Sequence, residues 1–174
     1  MSGRKTIRAA RERLMNASFT RLMITTLVAS LPQIGLAADS GLITIPSKYP
    51  AKETTQRFEA AIRNRADQGW IVFTELDHAA AAEKNGLKLR PRTVIVFGNP
   101  KRGTPAMQKA PTLAIDVPPK ALVWEDDQGK VWLTYNTGEY LQDYVYPRHG
   151  LPPNPAAAKS FDQFVGHAAA EATQ

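Results

Sequence analysis

Apolar positions change their spacing in a regular order along the chain. Leu42-Ile43-Thr44-Ile45 is a β-branched run closed by Pro46, the signature of a short strand. After Pro50, Thr54, Phe58, Ile62 and Ala66 recur every fourth residue until Gly69, which predicts a helix with one apolar stripe and charged flanks. Trp70 to Leu76 reads as a second strand, and Ala79 to Lys84 as a short helix ended by Asn85-Gly86, with alanines that allow close approach to a sheet. Thr93-Val94-Ile95-Val96-Phe97 is continuously apolar, which predicts a central strand covered on both faces.

Gly98 to Gly103 reads as a loop, followed by a short helix from Thr104 to Lys109. Leu113 to Asp116, bounded by prolines, is expected to be an edge strand or an extended segment. Ala121 to Glu125 and Lys130 to Tyr135 flank the turn formers Asp126-Asp127-Gln128-Gly129 and predict a β-hairpin. Glu139 to Tyr146 reads as a last small helix and Pro147 to Pro155 as a linker. Ala156 to Gln174 is an alanine-rich tail, partly helical and loosely docked. This order predicts a single α+β domain, a mostly antiparallel sheet with helices packed on it. Its expected bounds are residues 39–148, between a leader of residues 1–38 and a linker and tail of residues 149–174.

The leader has a basic region through Arg21, the apolar run Leu22 to Leu31, and small residues at Leu36-Ala37-Ala38. That order predicts a secretory signal cut after Ala38, or one residue earlier, whether translation starts at Met1 or Met15. Pro32, Gln33 and Gly35 interrupt the run well short of the roughly 20 residues a spanning helix needs, so no membrane span is expected once the signal is removed. No consecutive arginine pair precedes the run, which favours the general export route and, in a Gram-negative cell, a periplasmic product.

The formal charge of +6 invites a nucleic-acid reading. However, six of the 22 basic residues and one of the 16 acidic ones lie in the leader. That leaves 16 against 15 and a net charge of +1 in the exported chain, so no nucleic-acid partner is expected. The absence of cysteine excludes thiolate catalysis, disulfides and cysteine-ligated metals.

Asp77-His78 at a strand-to-helix junction has two readings: Asp77 as helix cap with His78 in the first turn, or an exposed acid/base or ligating pair. His149 and His167 lie in the linker and tail without metal-ligand spacing, so no metal or cofactor is expected. Gly98, Asn99, Lys101 and Thr104 belong to a turn with two positive charges before a helix, where backbone amides and cations can hold a small anion. The same glycine and Asn-Pro also serve simply to shape a turn, and the spacing of a nucleotide-binding loop is missing. Lys84, Lys88, Arg90 and Arg92 read as a solvated face. The three tryptophans fall on strands, as core or interface residues.

Four features carry a resemblance: Asp77-His78 before alanines; Leu89-x-Pro91 leading into Val94-Ile95-Val96-Phe97-Gly98-Asn99-Pro100; Gly103-Thr104 with Met107; and Asp116-x-Pro118 before the hairpin. Together they resemble the bacterial domain-of-unknown-function 302 family, DUF302, over Leu42 to Arg148. Pro118-Pro119 stands where the family more usually has one proline. The resemblance implies a small α+β fold that tends to pair as a homodimer, and no established activity.

The expectation is therefore a non-enzymatic binding or sensory module of the cell envelope. Its candidate site for a small molecule or anion is formed by Asp77, His78, Gly98, Asn99, Lys101 and Thr104. The alternatives are an enzyme using Asp77 and His78 as an acid/base pair, and a structural partner in an envelope complex.

Overall fold

A computed structural model describes residues 41–174; the expected export signal lies outside them. Five strands form one antiparallel sheet: β1 (Leu42–Pro46), β2 (Ile71–Asp77), β3 (Arg92–Gly98), β4 (Lys120–Glu125) and β5 (Val131–Asn136). Their spatial order is β1-β5-β4-β3-β2. The hairpin is as expected, its turn held by Asp126, whose Oδ1 accepts from the Gln128 and Lys130 amides, and by Gly129 at φ 78°.

Alternation along the strands separates two faces. Ile43, Tyr135, Ala121 and Ile95 stand in one row across four strands, and Ile45, Leu133 and Val123 in the next. With Phe97 they form the sheet side of the core. Helix α1 (Ala51–Arg63) lays Thr54, Phe58, Ala61 and Ile62 on that face, Phe58 meeting Phe97 edge-on with centroids 5.5 Å apart. A 3₁₀ turn, Ala66–Gln68, and Gly69 at φ 90° then deliver Trp70 to the core.

The second covering element was not expected. Residues Pro155–Thr173 form a 19-residue helix, α6, capped by Asn154, whose Oδ1 accepts from the Ala157 amide at 3.0 Å. Val165, Ala168, Ala169 and Ala172 are fully buried, and Phe164 stacks face to face on Trp70. The reading of a loosely docked tail is therefore corrected. Its alanines let α6 lie close against α1, and the Arg65–Glu171 ion pair ties the chain just after α1 to α6.

Two smaller expectations also change. The run at β3 lies inside the sheet but is buried on one face only: Ile95 and Phe97 are buried, while Val94 and Val96 are half-buried. Leu113 to Asp116 is not a strand, because Pro111–Ile115 makes a 3₁₀ turn that buries Leu113. The small helix expected from Glu139 to Tyr146 is present and slightly longer, as α4 (Gly138–Tyr140), a π-helical turn (Leu141–Val145) and α5 (Tyr146–Arg148). On the uncovered face of the sheet, Trp124 stacks on Trp132 at 6.1 Å beside Leu122 and Val94.

Gly138 sits where α4 meets α6. A Cβ there would lie 2.3 Å from the Ala158 carbonyl oxygen, and the Gly138 amide donates to Asp162 Oδ1 at 2.6 Å. Gly138→Ala is therefore expected to lose about 1–3 kcal/mol or more in urea unfolding, because backbone must move to admit the methyl. Gly103→Ala, inside a helix and clear of close neighbours, should unfold no earlier than wild type.

Candidate functional site

The expected site residues occupy two separate places. Asp77 is the cap of the short helix α2 (His78–Glu83): it is extended, and its Oδ1 accepts from the Ala80 amide at 2.9 Å. His78 is exposed in the first turn and does not line the cleft described below. Asp77 pairs with Thr93 and Ile71 with Gly98, so five residues of β3 hold the two places about 17 Å apart. Asp77 and His78 do not share a cavity with Gly98 and Asn99.

At the other end of β3, helix α3 (Pro100–Lys109) starts earlier than expected. Asn99 caps it: Oδ1 accepts from the Lys101 amide at 3.1 Å, and the Asn99 carbonyl accepts from Arg102 and Gly103. Asn99 Nδ2 donates to the Gln68 carbonyl at 2.9 Å, which fixes the side chain. The supposed glycine loop is thus a first helical turn whose amides are already bonded to Asn99, leaving no empty backbone cradle for an anion. Lys101 and Thr104 are exposed and lie off the cleft described next, which Gly98 and Asn99 do line.

That cleft has a volume of about 990 Å³. One wall is α3, from Pro100 and Arg102 to Met107 and Lys109, with Val117, Pro118 and Pro119; the peptide bond before Pro118 is cis. The opposite wall is Leu141, Gln142, Tyr146, Leu151 and the start of α6 as far as Phe161, while Trp70, Phe73 and Val96 close the sheet side. Its lining is mostly apolar. It contains Arg102 and Lys109 but no aspartate or glutamate. Arg102 Nη1 donates to Ser160 Oγ at 2.9 Å, and its guanidinium lies 5.7 Å over the Trp70 ring. Burial pushes up the phenol of Tyr146, a lining residue, opposed by its hydrogen bond with Gln142.

The cleft was hidden from sequence reasoning because one of its walls comes from residues 138–161, read as small helix, linker and tail. The alternation of apolar residues with Asn154 and Pro155, a cap followed by proline, was the available signal for that wall.

A further cluster joins the two walls. His149 is nearly buried, its side chain 5% exposed. Its Nε2 lies 2.6 Å from Asp116 Oδ2, and its Nδ1 lies 2.9 Å from Thr112 Oγ1. Arg148 stands 3.4 Å from the same Asp116 oxygen. Hydroxyl, imidazole and carboxylate are in line, yet none of the three lines the cleft. They tie the 3₁₀ turn to the chain beyond α5.

The hydrogen bond from His149, helped by the charges of Arg148 and Lys120, holds the Asp116 carboxyl below its ordinary value of 3.8. A carboxyl lowered by folding stabilises the fold above that value and stops doing so as pH falls through its folded pKa. Wild type is therefore expected to exceed Asp116→Asn in melting temperature at neutral pH. The gap should close as the pH drops below 3.8.

Among the described residues no group of three or more His, Asp or Glu side chains is placed to hold a metal ion, and no helix is long and apolar enough to cross a membrane. Comparison with known proteins adds three findings. The chain is 42% identical over 120 residues to fluoride-specific ion channel FluC 1 of Brucella suis, covering 69% of this chain and 44% of that protein. Fluoride-specific ion channel FluC 2 of Brucella melitensis matches at the same identity, with 42% of its length covered. The chain thus spans less than half the length of these curated relatives.

Among solved structures, an uncharacterized conserved DUF302 protein from Bacillus stearothermophilus superposes with a TM-score of 0.61 at 14% identity, over 76% of this chain and 98% of that one. At that identity the likeness establishes the fold. The model of the family described as domain of unknown function DUF302 matches residues 43–168, past Arg148 and well into α6. The chain belongs to the DUF302 family.

Proposed function

We propose that this chain is a non-enzymatic small-molecule-binding domain of the cell envelope, with its ligand in the cleft between α3 and the segment from α4 to α6. The observation that carries this reading is a cleft of about 990 Å³, mostly apolar and bearing two cations and no carboxylate. Small-molecule sites are concave, largely apolar and furnished with a few convergent polar groups. The export pattern of residues 1–38 supports a periplasmic setting. Against the acid/base reading, the Asp77 carboxylate is engaged as a helix cap and His78 lies away from the cleft.

Thermal melts of the full chain against a library of small organic anions and neutral metabolites test this. Ligands that stabilise wild type should lose their effect in Arg102→Gln and keep it in His78→Ala. The opposite pattern would return the site to Asp77 and His78.

A second reading is favoured by the Brucella relatives, in which the DUF302-like region is less than half of a protein named as a fluoride-specific ion channel. We read this domain as a module that works beside a membrane transport protein. The cleft is far too large to select a monatomic anion, so fluoride is not assigned to it. Homodimer formation belongs to the same proposal. The uncovered sheet face with Leu122, Trp124 and Val94 offers apolar surface to a second copy, as the family resemblance implies. Light scattering should report a dimer in wild type and a monomer in Trp124→Lys; a wild-type monomer would remove this part.

A further inference from the structure

We infer that the cleft takes a single-chain amphiphile whose anionic head is bound at Arg102 and whose hydrocarbon chain lies along Val96, Met107, Val117 and Leu141. The inference rests on the binding reading above and narrows it to a ligand class.

The charge of the cleft is one-sided. Arg63, Arg65, Arg90 and Arg148 each form an ion pair with a carboxylate, while Arg57 and Arg92 bond backbone carbonyl oxygens. Arg102 instead bonds to the neutral hydroxyl of Ser160, and neither it nor Lys109 has a carboxylate partner among the described residues. In a domain with balanced charges, two uncompensated cations on one apolar cleft favour an anion and disfavour a cation. A charge-assisted contact to a guanidinium is about twice as strong as a neutral hydrogen bond and suits carboxylate or phosphate oxygens.

A second donor stands beside the first. Trp70 is only 5% exposed and lines the cleft under Arg102, and its indole N–H meets no acceptor among the described residues. Between Arg102 and Lys109 the lining is largely hydrocarbon, from Val96, Met107, Val117 and Leu141, which disfavours a charge in the body of the ligand. Arg102 and Lys109 are seven helical residues apart, about 10 Å, which leaves room for an extended chain between them. A bare inorganic anion would leave most of this surface unfilled.

Isothermal titration of the full chain separates the possibilities. Laurate and dodecyl phosphate carry the two anionic heads. Dodecanol has the chain without the charge, dodecyltrimethylammonium the opposite charge, and acetate and inorganic phosphate the head without the chain. Laurate or dodecyl phosphate is expected to bind at least tenfold more tightly than dodecanol, and the stronger of the two names the head. The cation, acetate and inorganic phosphate should give no measurable binding.

Arg102→Gln, an exposed substitution compatible with the helix, should bring the anion down to the level of dodecanol. Leu122→Lys on the uncovered sheet face should leave it unchanged. Dodecanol binding as tightly as the anions, with Arg102→Gln without effect, would overturn the anionic class while sparing the cleft as a site. Loss of binding in Leu122→Lys but not in Arg102→Gln would put the chain on the sheet face and overturn the inference. Absence of binding by any amphiphile would also overturn it, and the metabolite melts would then decide whether the cleft binds anything.

Discussion

A chain ended at Pro153 is expected not to fold. Such a truncation removes α6, and with it the buried Phe164, Val165, Ala168, Ala169 and Ala172. It also bares the faces of Phe58, Ile62 and Trp70 that now lie in the same cluster. Burying one large apolar side chain is worth about 1.5–3 kcal/mol. Losing Phe164 and Val165 and uncovering three comparable partners approaches the whole stability of a domain, about 5–15 kcal/mol. Near-ultraviolet circular dichroism should show no fixed aromatic signal and no cooperative melt. A truncated chain melting like the full one would mean that the helix is dispensable, as the tail reading held.

The second large effect is at Phe58. Its side chain is fully buried, and its ring meets Phe97 edge-on where α1 crosses the sheet. Phe58→Ala leaves a cavity that rigid neighbours on three elements cannot close, and a loss of about 3–5 kcal/mol in urea unfolding is expected. Phe73→Ala, at 48% exposure on a β-bulge, should cost much less. Equal losses at the two positions would contradict the division of the sheet into a covered and an open face.

The elements that sequence reasoning located are those whose signal is local. The hairpin around Asp126 and Gly129, the strand ended by Pro46 and the four-residue stripe of α1 each contain their own pattern and punctuation. What escaped it depends on distant partners. Helix α6 carries few large apolar residues, so its alanines read as a tail. Their small size is what lets the helix seat tightly against α1 and the sheet.

At α3, the glycines bounding Gly98 to Gly103 read as a loop before a helix from Thr104 to Lys109. Asn99 as cap and Pro100 in the first turn instead start the helix four residues before the expected Thr104.

The candidate site divides in the same way. Gly98 and Asn99 were singled out from a local motif and do line the cleft, but Lys101 and Thr104 of that motif turn outward on α3. Asp77 and His78 were joined to them because both places hold polar residues beside a strand. Only the antiparallel register of β2 on β3 reveals that they sit at opposite ends. Asp116 and His149, 33 residues apart, carried no shared signal at all. Their contact exists because the fold brings the 3₁₀ turn against the end of α5.

The most direct test of the cleft as the functional site is backbone-amide chemical-shift mapping of the full chain titrated with laurate. The largest changes are expected at Val96, Gly98, Gly103, Leu141 and Ser160, with Asp77, His78 and Leu122 unmoved. Changes centred on Asp77 and His78 or on Leu122, or no saturable change anywhere, would contradict the account.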